Sequence, residues 1–198
     1  MTSIVTRVAS PALLGLAALA PFGPGRAAAA EPIGTWLTED GRARVRTEFC
    51  GPKGDRLCGY VVWGRKPLDE ETGQPRLDKH NPDPARRTRP LHGHQMILGL
   101  KPDEEGRYGG KIYNGDNGKS YDVRIWSEAP AELSVKGCLV SILCSTQTWT
   151  RVSDVLPGQL QAATDMPGGP RSDPEWSARP AAGAGPGQKV RPAPTPTR

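Results

Sequence analysis

Eight short runs rich in β-branched and aromatic residues, separated by turn-forming residues at near-regular intervals, leave this chain few folds to choose from. Residues 42–49 set the pattern. Ala43, Val45, Thr47 and Phe49 fall on one face, and Arg42, Arg44, Arg46 and Glu48 on the other. Period two is the signature of a half-buried strand, because successive side chains of a strand point to opposite faces. Residues 34–38, carrying Trp36, precede this run across a Glu39-Asp40-Gly41 turn, a hairpin signal. Further strands are predicted over 57–63, 95–100, 108–113, 121–126, 133–138 and 143–152, with Asp116-Asn117-Gly118 as a second hairpin turn. No convincing helix interrupts them. Strands joined by short turns pair antiparallel, and about eight of them can close and abolish the sheet edges. The predicted fold is all-β, a small antiparallel up-and-down barrel, with an open curved sheet or a sandwich as the alternative. Trp36, Trp63, Trp126 and Trp149 then serve as core or barrel-mouth fillers; Trp63 is also carried forward as a candidate ligand contact.

Both ends lie outside that pattern. Arg7, the apolar run 12–20, a Pro/Gly break and Ala28-Ala29-Ala30 ahead of Glu31 read as a secretory signal peptide over 1–30. The apolar run is too short for a spanning helix, and no later segment is long or apolar enough, so the mature chain is expected to lack a transmembrane segment. The sequence from 156 to 198 is dominated by Pro, Gly, Ala, Thr and Gln and is expected to be disordered, with Trp176 its single aromatic. The folded domain is thus placed at 31–155. Within it 19 basic residues face 18 acidic ones, so the formal net charge of +5 belongs mostly to the two ends. That balance gives no warrant for a nucleic-acid surface.

Cys50, Cys58, Cys138 and Cys144 form an even set in a chain with an export signal, which favours disulfides. Each local pair flanks a turn-prone segment, GPKGDRL or LVSIL, between two strand-like runs, so Cys50–Cys58 and Cys138–Cys144 fit best among the three pairings. Each short bridge contributes roughly 2.5 kcal/mol in the chain-entropy picture. A four-cysteine zinc site is the rival, but the C-x7-C and C-x5-C spacings do not match zinc ribbons.

The segment 64–90 is too long to be a mere connector. It offers Asp69, Glu70, Glu71, Asp78, Asn81 and Asp83, followed by Arg86, Arg87 and Arg89. No EF-hand spacing appears among the acids. Turn chemistry at Asn81-Pro82 and Asp83-Pro84 accounts for part of the pattern. The candidate ligand-binding residues are Asp78, Asn81, Asp83, Arg87 and Arg89, together with Trp63. The loop is expected to pack over one barrel end, ordered by an arginine–carboxylate network. His80, His92 and His94 lack a fourth ligand at a telling spacing, so no metal is expected. No nucleophile elbow or phosphate-cradling loop is present, and neither a catalytic set nor a cofactor is expected. Gly109-Gly110 inside a strand reads as a bulge or a close approach.

Several ordered motifs carry a resemblance. They are Ile33-Gly34-x-Trp36, Leu57-Cys58-Gly59 with Val61-Val62-Trp63, Asp78-x-x-Asn81-Pro82-Asp83, Arg87-x-Arg89-Pro90-Leu91, Gly110-x-Ile112-Tyr113-Asn114 with Gly118-Lys119-x-Tyr121, and Lys136-Gly137-Cys138 with Gln147-Thr148-Trp149-x-Arg151. Together, over residues 33–152, the chain resembles the DUF2147 family of exported bacterial proteins. His92 and His94 depart from it, standing where that family tends to carry apolar or small residues. The resemblance implies a lipocalin-like barrel in the cell envelope and brings no established activity. The expected function is therefore that of an exported, non-enzymatic barrel, periplasmic or extracellular, taking a small apolar ligand or an envelope protein as partner. The alternative is an envelope enzyme acting on a charged substrate through the Asp78–Arg89 loop. A third reading is a scaffold protein whose Pro-rich tail engages other envelope components.

Overall fold

The structure, a computed structural model, describes residues 30–140 and 143–177. The predicted leader lies outside this range apart from Ala30. Eight strands follow in order: β1 (Gly34–Leu37), β2 (Ala43–Cys50), β3 (Arg56–Gly64), β4 (Gln95–Pro102), β5 (Tyr108–Asn114), β6 (Lys119–Ala129), β7 (Glu132–Val140) and β8 (Leu143–Arg151). Each pairs antiparallel with the next, and β1 closes on β8 with Trp36 opposite Arg151 and Leu37 opposite Thr150. All eight predicted strands form, and the barrel is closed. Among the described residues no helix is long and apolar enough to cross a membrane.

Alternation explains the core. Trp36, Val45, Leu57, Ile97, Leu100, Ile125, Leu133 and Trp149 reach the interior from seven of the strands, with the β4 irregularity between Ile97 and Lys101 bringing both Ile97 and Leu100 inward. The end bearing the β2–β3, β4–β5 and β6–β7 turns is plugged by its larger members. There the Trp36 indole N–H donates to Thr47 Oγ1 at 2.8 Å. The Arg151 guanidinium lies 4.1 Å from the Trp36 ring centroid and donates to the Ile33 carbonyl at 2.7 Å. A cation stacked on an indole in this way contributes about 0.5–2 kcal/mol, and here it also ties the chain start to the last strand. Gly110 is a close approach: a Cβ there would stand 2.8 Å from Leu100 Cδ2, while the β5–β6 register runs without a shift.

Two expectations need correction. Phe49, predicted on the buried face, is 44% exposed, because it sits near the end of β2 where only Tyr108 offers a partner ring at 6.3 Å. Residues 156–177, predicted as part of a disordered tail, are ordered. Residues 156–177 run along the outside of the barrel as a strap: the Leu160 amide donates to the Val62 carbonyl at 2.9 Å, Arg171 to Gly93 at 2.8 Å, and Gly51 to Trp176 at 3.1 Å. The cause is visible in β3. Leu57 points inward while Cys58, Tyr60 and Val62 form an apolar outer face, which is costly to leave in water. Leu160 and Trp176 cover it. Gly99 makes room for them; its φ is +57° and any Cβ would collide with the Trp176 ring. The outward side chain of Arg44 is likewise roofed, donating to the Asp154 carboxylate at 2.9 Å and to Gln159 Oε1 at 3.0 Å. Residues 178–198 lie outside the described range.

Candidate functional site: the cavity at the open barrel end

The β1–β2, β3–β4 and β5–β6 connections gather at the other end of the barrel, with the end of β7 and the start of β8, and that end is hollow. A cavity of about 1020 Å³ opens there, at the upper limit of the about 300–1,000 Å³ range of small-molecule sites. Its apolar wall is built from inward positions of β3 to β8: Val61 of β3, Met96 of β4, Ile112 of β5, Val123 of β6, Val135 of β7 and Trp149 of β8. The charged lining residues are confined to the loops, with Asp40, Arg42, Arg65, Lys66, Arg76 and Asp116 at the rim. The site is thus an apolar sleeve with a charged mouth.

The long β3–β4 loop reaches the mouth at both of its ends. Gly64–Pro67, Arg76 and then Leu91, His92 and His94 line the cavity, while the middle of the loop folds on itself. Leu68 bridges to Pro75 and Leu77 to Pro90, and a 3₁₀ turn at Pro84–Arg86 is capped by the Asp83 carboxylate accepting from the Ala85 amide at 2.9 Å. The loop lies against the β5–β6 turn. Arg76 pairs with Asp116 at 2.8 Å, and Gly118, at φ +71°, sits so close beneath the His80 carbonyl that a Cβ would overlap it.

The predicted site residues are brought together only in part, and away from the cavity. Asp78 is 0% exposed. Its Oδ2 accepts from Asn81 Nδ2 at 2.7 Å and from Arg89 Nε at 2.9 Å, and its Oδ1 accepts from the Tyr113 hydroxyl. Arg89 turns its other arm to Asp173 of the strap at 2.5 Å, and Arg86 meets the same carboxylate at 2.6 Å. Two arginines of the loop and one carboxylate of the strap thus share one partly buried junction. Arg87 donates to the Asn81 carbonyl at 2.8 Å, and Asp83 is spent on its local cap. Trp63 stands apart, with the Arg44 guanidinium 6.0 Å from its ring centroid, and is not among the cavity's lining residues. The expected arginine–carboxylate network exists, with the strap as an unforeseen member. Burial and the hydrogen bond to Asp78 push the Tyr113 hydroxyl up to about 12, so it stays a proton donor.

Both histidines near the mouth are bonded locally. The His92 Nε2–H group donates to the Val62 carbonyl at 3.0 Å, and His94 donates from Nδ1 to the Leu91 carbonyl. His94 is 7% exposed, and its Nε2 is buried without a partner among the described residues. Burial holds its pKa below the usual imidazole value, the Arg89 charge adding to the effect, so the ring is neutral near pH 7 and Nε2 carries a lone pair. The two cysteine pairs are bridged as expected, Cys50 to Cys58 and Cys138 to Cys144, with Cα atoms 5.8 Å and 4.0 Å apart. The second bridge lines the cavity mouth.

The apolar sleeve was not named residue by residue in the sequence. Its signal was strand parity: Ile112, Val123 and Val135 share the alternation of the core residues. What parity could not say was that no large side chain among the described residues fills the space between them.

Comparison with known proteins agrees with this architecture. No curated protein matches the chain. Among solved structures, it is similar to protein HP1028 from the human pathogen Helicobacter pylori, which is described as belonging to the lipocalin family. The likeness is 24% identity with a TM-score of 0.51, covering 63% of this chain and 85% of that one. A likeness at this level concerns the fold. Residues 34–151, from the first residue of β1 to the last of β8, match the family of uncharacterized proteins conserved in bacteria designated DUF2147, and the chain belongs to that family.

Proposed function

We propose that this is an exported, non-enzymatic barrel that holds a small, largely apolar ligand in its interior. The cavity carries the reading: about 1020 Å³ walled by Val61, Met96, Ile112, Val123, Val135 and Trp149 is space that a barrel of this size normally fills with side chains. An apolar void left to water or to nothing forfeits dispersion contacts, so a matching ligand gains on both counts. Export belongs to the same reading, because two disulfides need an oxidising compartment, the periplasm or the space beyond it. The enzymatic alternative through the Asp78–Arg89 loop draws no support from the geometry. Both Asp78 oxygens are already occupied by protein donors, and no open cleft faces them.

Native mass spectrometry of protein purified from its own host should show a non-covalent adduct of lipid-like or metabolite mass. In parallel, the stripped protein should bind a neutral fluorescent probe such as N-phenyl-1-naphthylamine. Val135→Trp places an indole in the void and should cut probe binding by at least about tenfold while the far-ultraviolet dichroism is kept. A stripped protein that takes up no probe, or a variant that binds it unchanged, would overturn the proposal.

A further inference from the structure

We infer that the ligand is an amphiphile with an oxyanion head, held at the cavity mouth by Arg65; this rests on the proposed function and names the chemistry of its ligand. Four cations, Arg42, Arg65, Lys66 and Arg76, line the mouth against two carboxylates, Asp40 and Asp116. Three of the four are matched already. Arg42 pairs with Asp40 at 2.7 Å, Arg76 with Asp116 at 2.8 Å, and Lys66 with Glu70 at 2.6 Å. Arg65 has no carboxylate partner among the described residues. It is nevertheless positioned: its amide donates to the Arg42 carbonyl at 2.8 Å, and its Nη2 stands 3.0 Å from where a Cβ on Gly41 would be, over the β1–β2 turn. An exposed guanidinium without a carboxylate partner among the described residues, at the lip of an apolar sleeve, offers the planar fork that grips a carboxylate or phosphate through two parallel hydrogen bonds.

The interior fixes the other half of the molecule. No charged side chain lies among the wall residues, and His94 is held neutral by burial. A charge carried into that space would lose its hydration with nothing to replace it. An anionic ligand therefore threads its apolar part inward and leaves its head at the rim. A cationic head would meet the unmatched Arg65, and an uncharged molecule would leave it unmatched.

The test is competition against N-phenyl-1-naphthylamine, with dodecanoate, dodecyl phosphate and dodecan-1-ol as competitors below their aggregation limits, on the wild type and on Arg65→Gln. At least one of the two anions should displace the probe about tenfold more effectively than the alcohol. Which of them leads tells a carboxylate head from a phosphate one. Arg65→Gln should remove most of that advantage and leave the alcohol unchanged, and raising the ionic strength should shrink the advantage in the wild type only. Equal displacement by acid and alcohol, or an advantage that survives Arg65→Gln, overturns the oxyanion reading while the cavity reading stands. Absence of probe binding in the wild type overturns the cavity reading instead.

Discussion

Asp173 is the most informative single atom group to disturb, because it pins two remote segments at once. Its carboxylate accepts from Arg86 at 2.6 Å and from Arg89 at 2.5 Å, and its amide donates to Gln95 Oε1 at 2.8 Å, with the residue 5% exposed. Asp173→Asn keeps the size and one acceptor oxygen but deletes the charge and one charge-assisted hydrogen bond. Such a bond contributes about 1.5–3 kcal/mol when buried. Arg86 keeps Glu175 and Arg89 keeps Asp78, so neither cation is stranded, and the lower half of that range applies. The expected loss is about 2 kcal/mol, which corresponds to an opening roughly thirtyfold more frequent. It should be local, because β1–β8 close without this junction. Hydrogen exchange resolves it: the amides of Leu160 and Arg171 and that of Gly51, which donates to the Trp176 carbonyl, should speed up by about this factor. Amides deep in β6 and β7 should not. Equal protection of Leu160 and Arg171 in both proteins would refute the pin, and random-coil exchange of these amides in the wild type would refute the docked strap itself.

Three further outcomes follow from the geometry. Lowering the pH should destabilise the protein through His94: its folded pKa lies below the usual imidazole value near 6.5, so the unfolded chain takes up more protons, and stability is lost as pH falls below about 6.5 toward the folded value. Urea midpoints measured from pH 7.5 to pH 5 should fall less steeply in His94→Leu than in the wild type, with Asp78, Asp173, Arg89 and Tyr113 left in place around it. Gly118→Ala should cost about 2 kcal/mol or more, since a left-handed backbone alone costs about 1–2 kcal/mol and the new Cβ meets the His80 carbonyl; the thermal midpoint is the measurement. Arg151→Met should cost about 2–4 kcal/mol by removing the stack on Trp36 and the bond to the Ile33 carbonyl, read by urea denaturation.

Much of this fold was legible because period two and the turn residues act locally. Residues 42–49 declare a strand whatever surrounds them, and Asp116-Asn117-Gly118 declares its turn. The disulfide pairs were legible for the same reason, each bridging one hairpin. What escaped depends on contacts across long separations. Arg44 looks like a solvent-facing residue until Asp154 and Gln159 are brought over it. The strap has the composition of a disordered tail, and its docking rests on a few residues, Leu160, Asp173 and Trp176. Each of these matters only because β3 presents an apolar outer face and Arg86 and Arg89 a pair of cations. Asp78 and Arg89, expected to meet in an arginine–carboxylate network, do so in the junction that holds the loop, while the hollow beside it is walled by apolar residues that carry no such charge pattern. Voids leave no residue type of their own.

The strap also separates the fates of the two bridges. Cys58 is fully enclosed, and Trp176 and Leu160 pack over the Cys50–Cys58 pair, whereas Cys144 at the mouth is exposed. Thiol exchange proceeds by direct attack on a sulfur, so access governs its rate. If the chain is exported N-terminus first, as the proposed function requires, Cys50 and Cys58 are available for oxidation long before Trp176 arrives to seal them. An error at that pair must be mended before the last segment docks, while the mouth pair stays open to correction, and to reduction, for the life of the molecule.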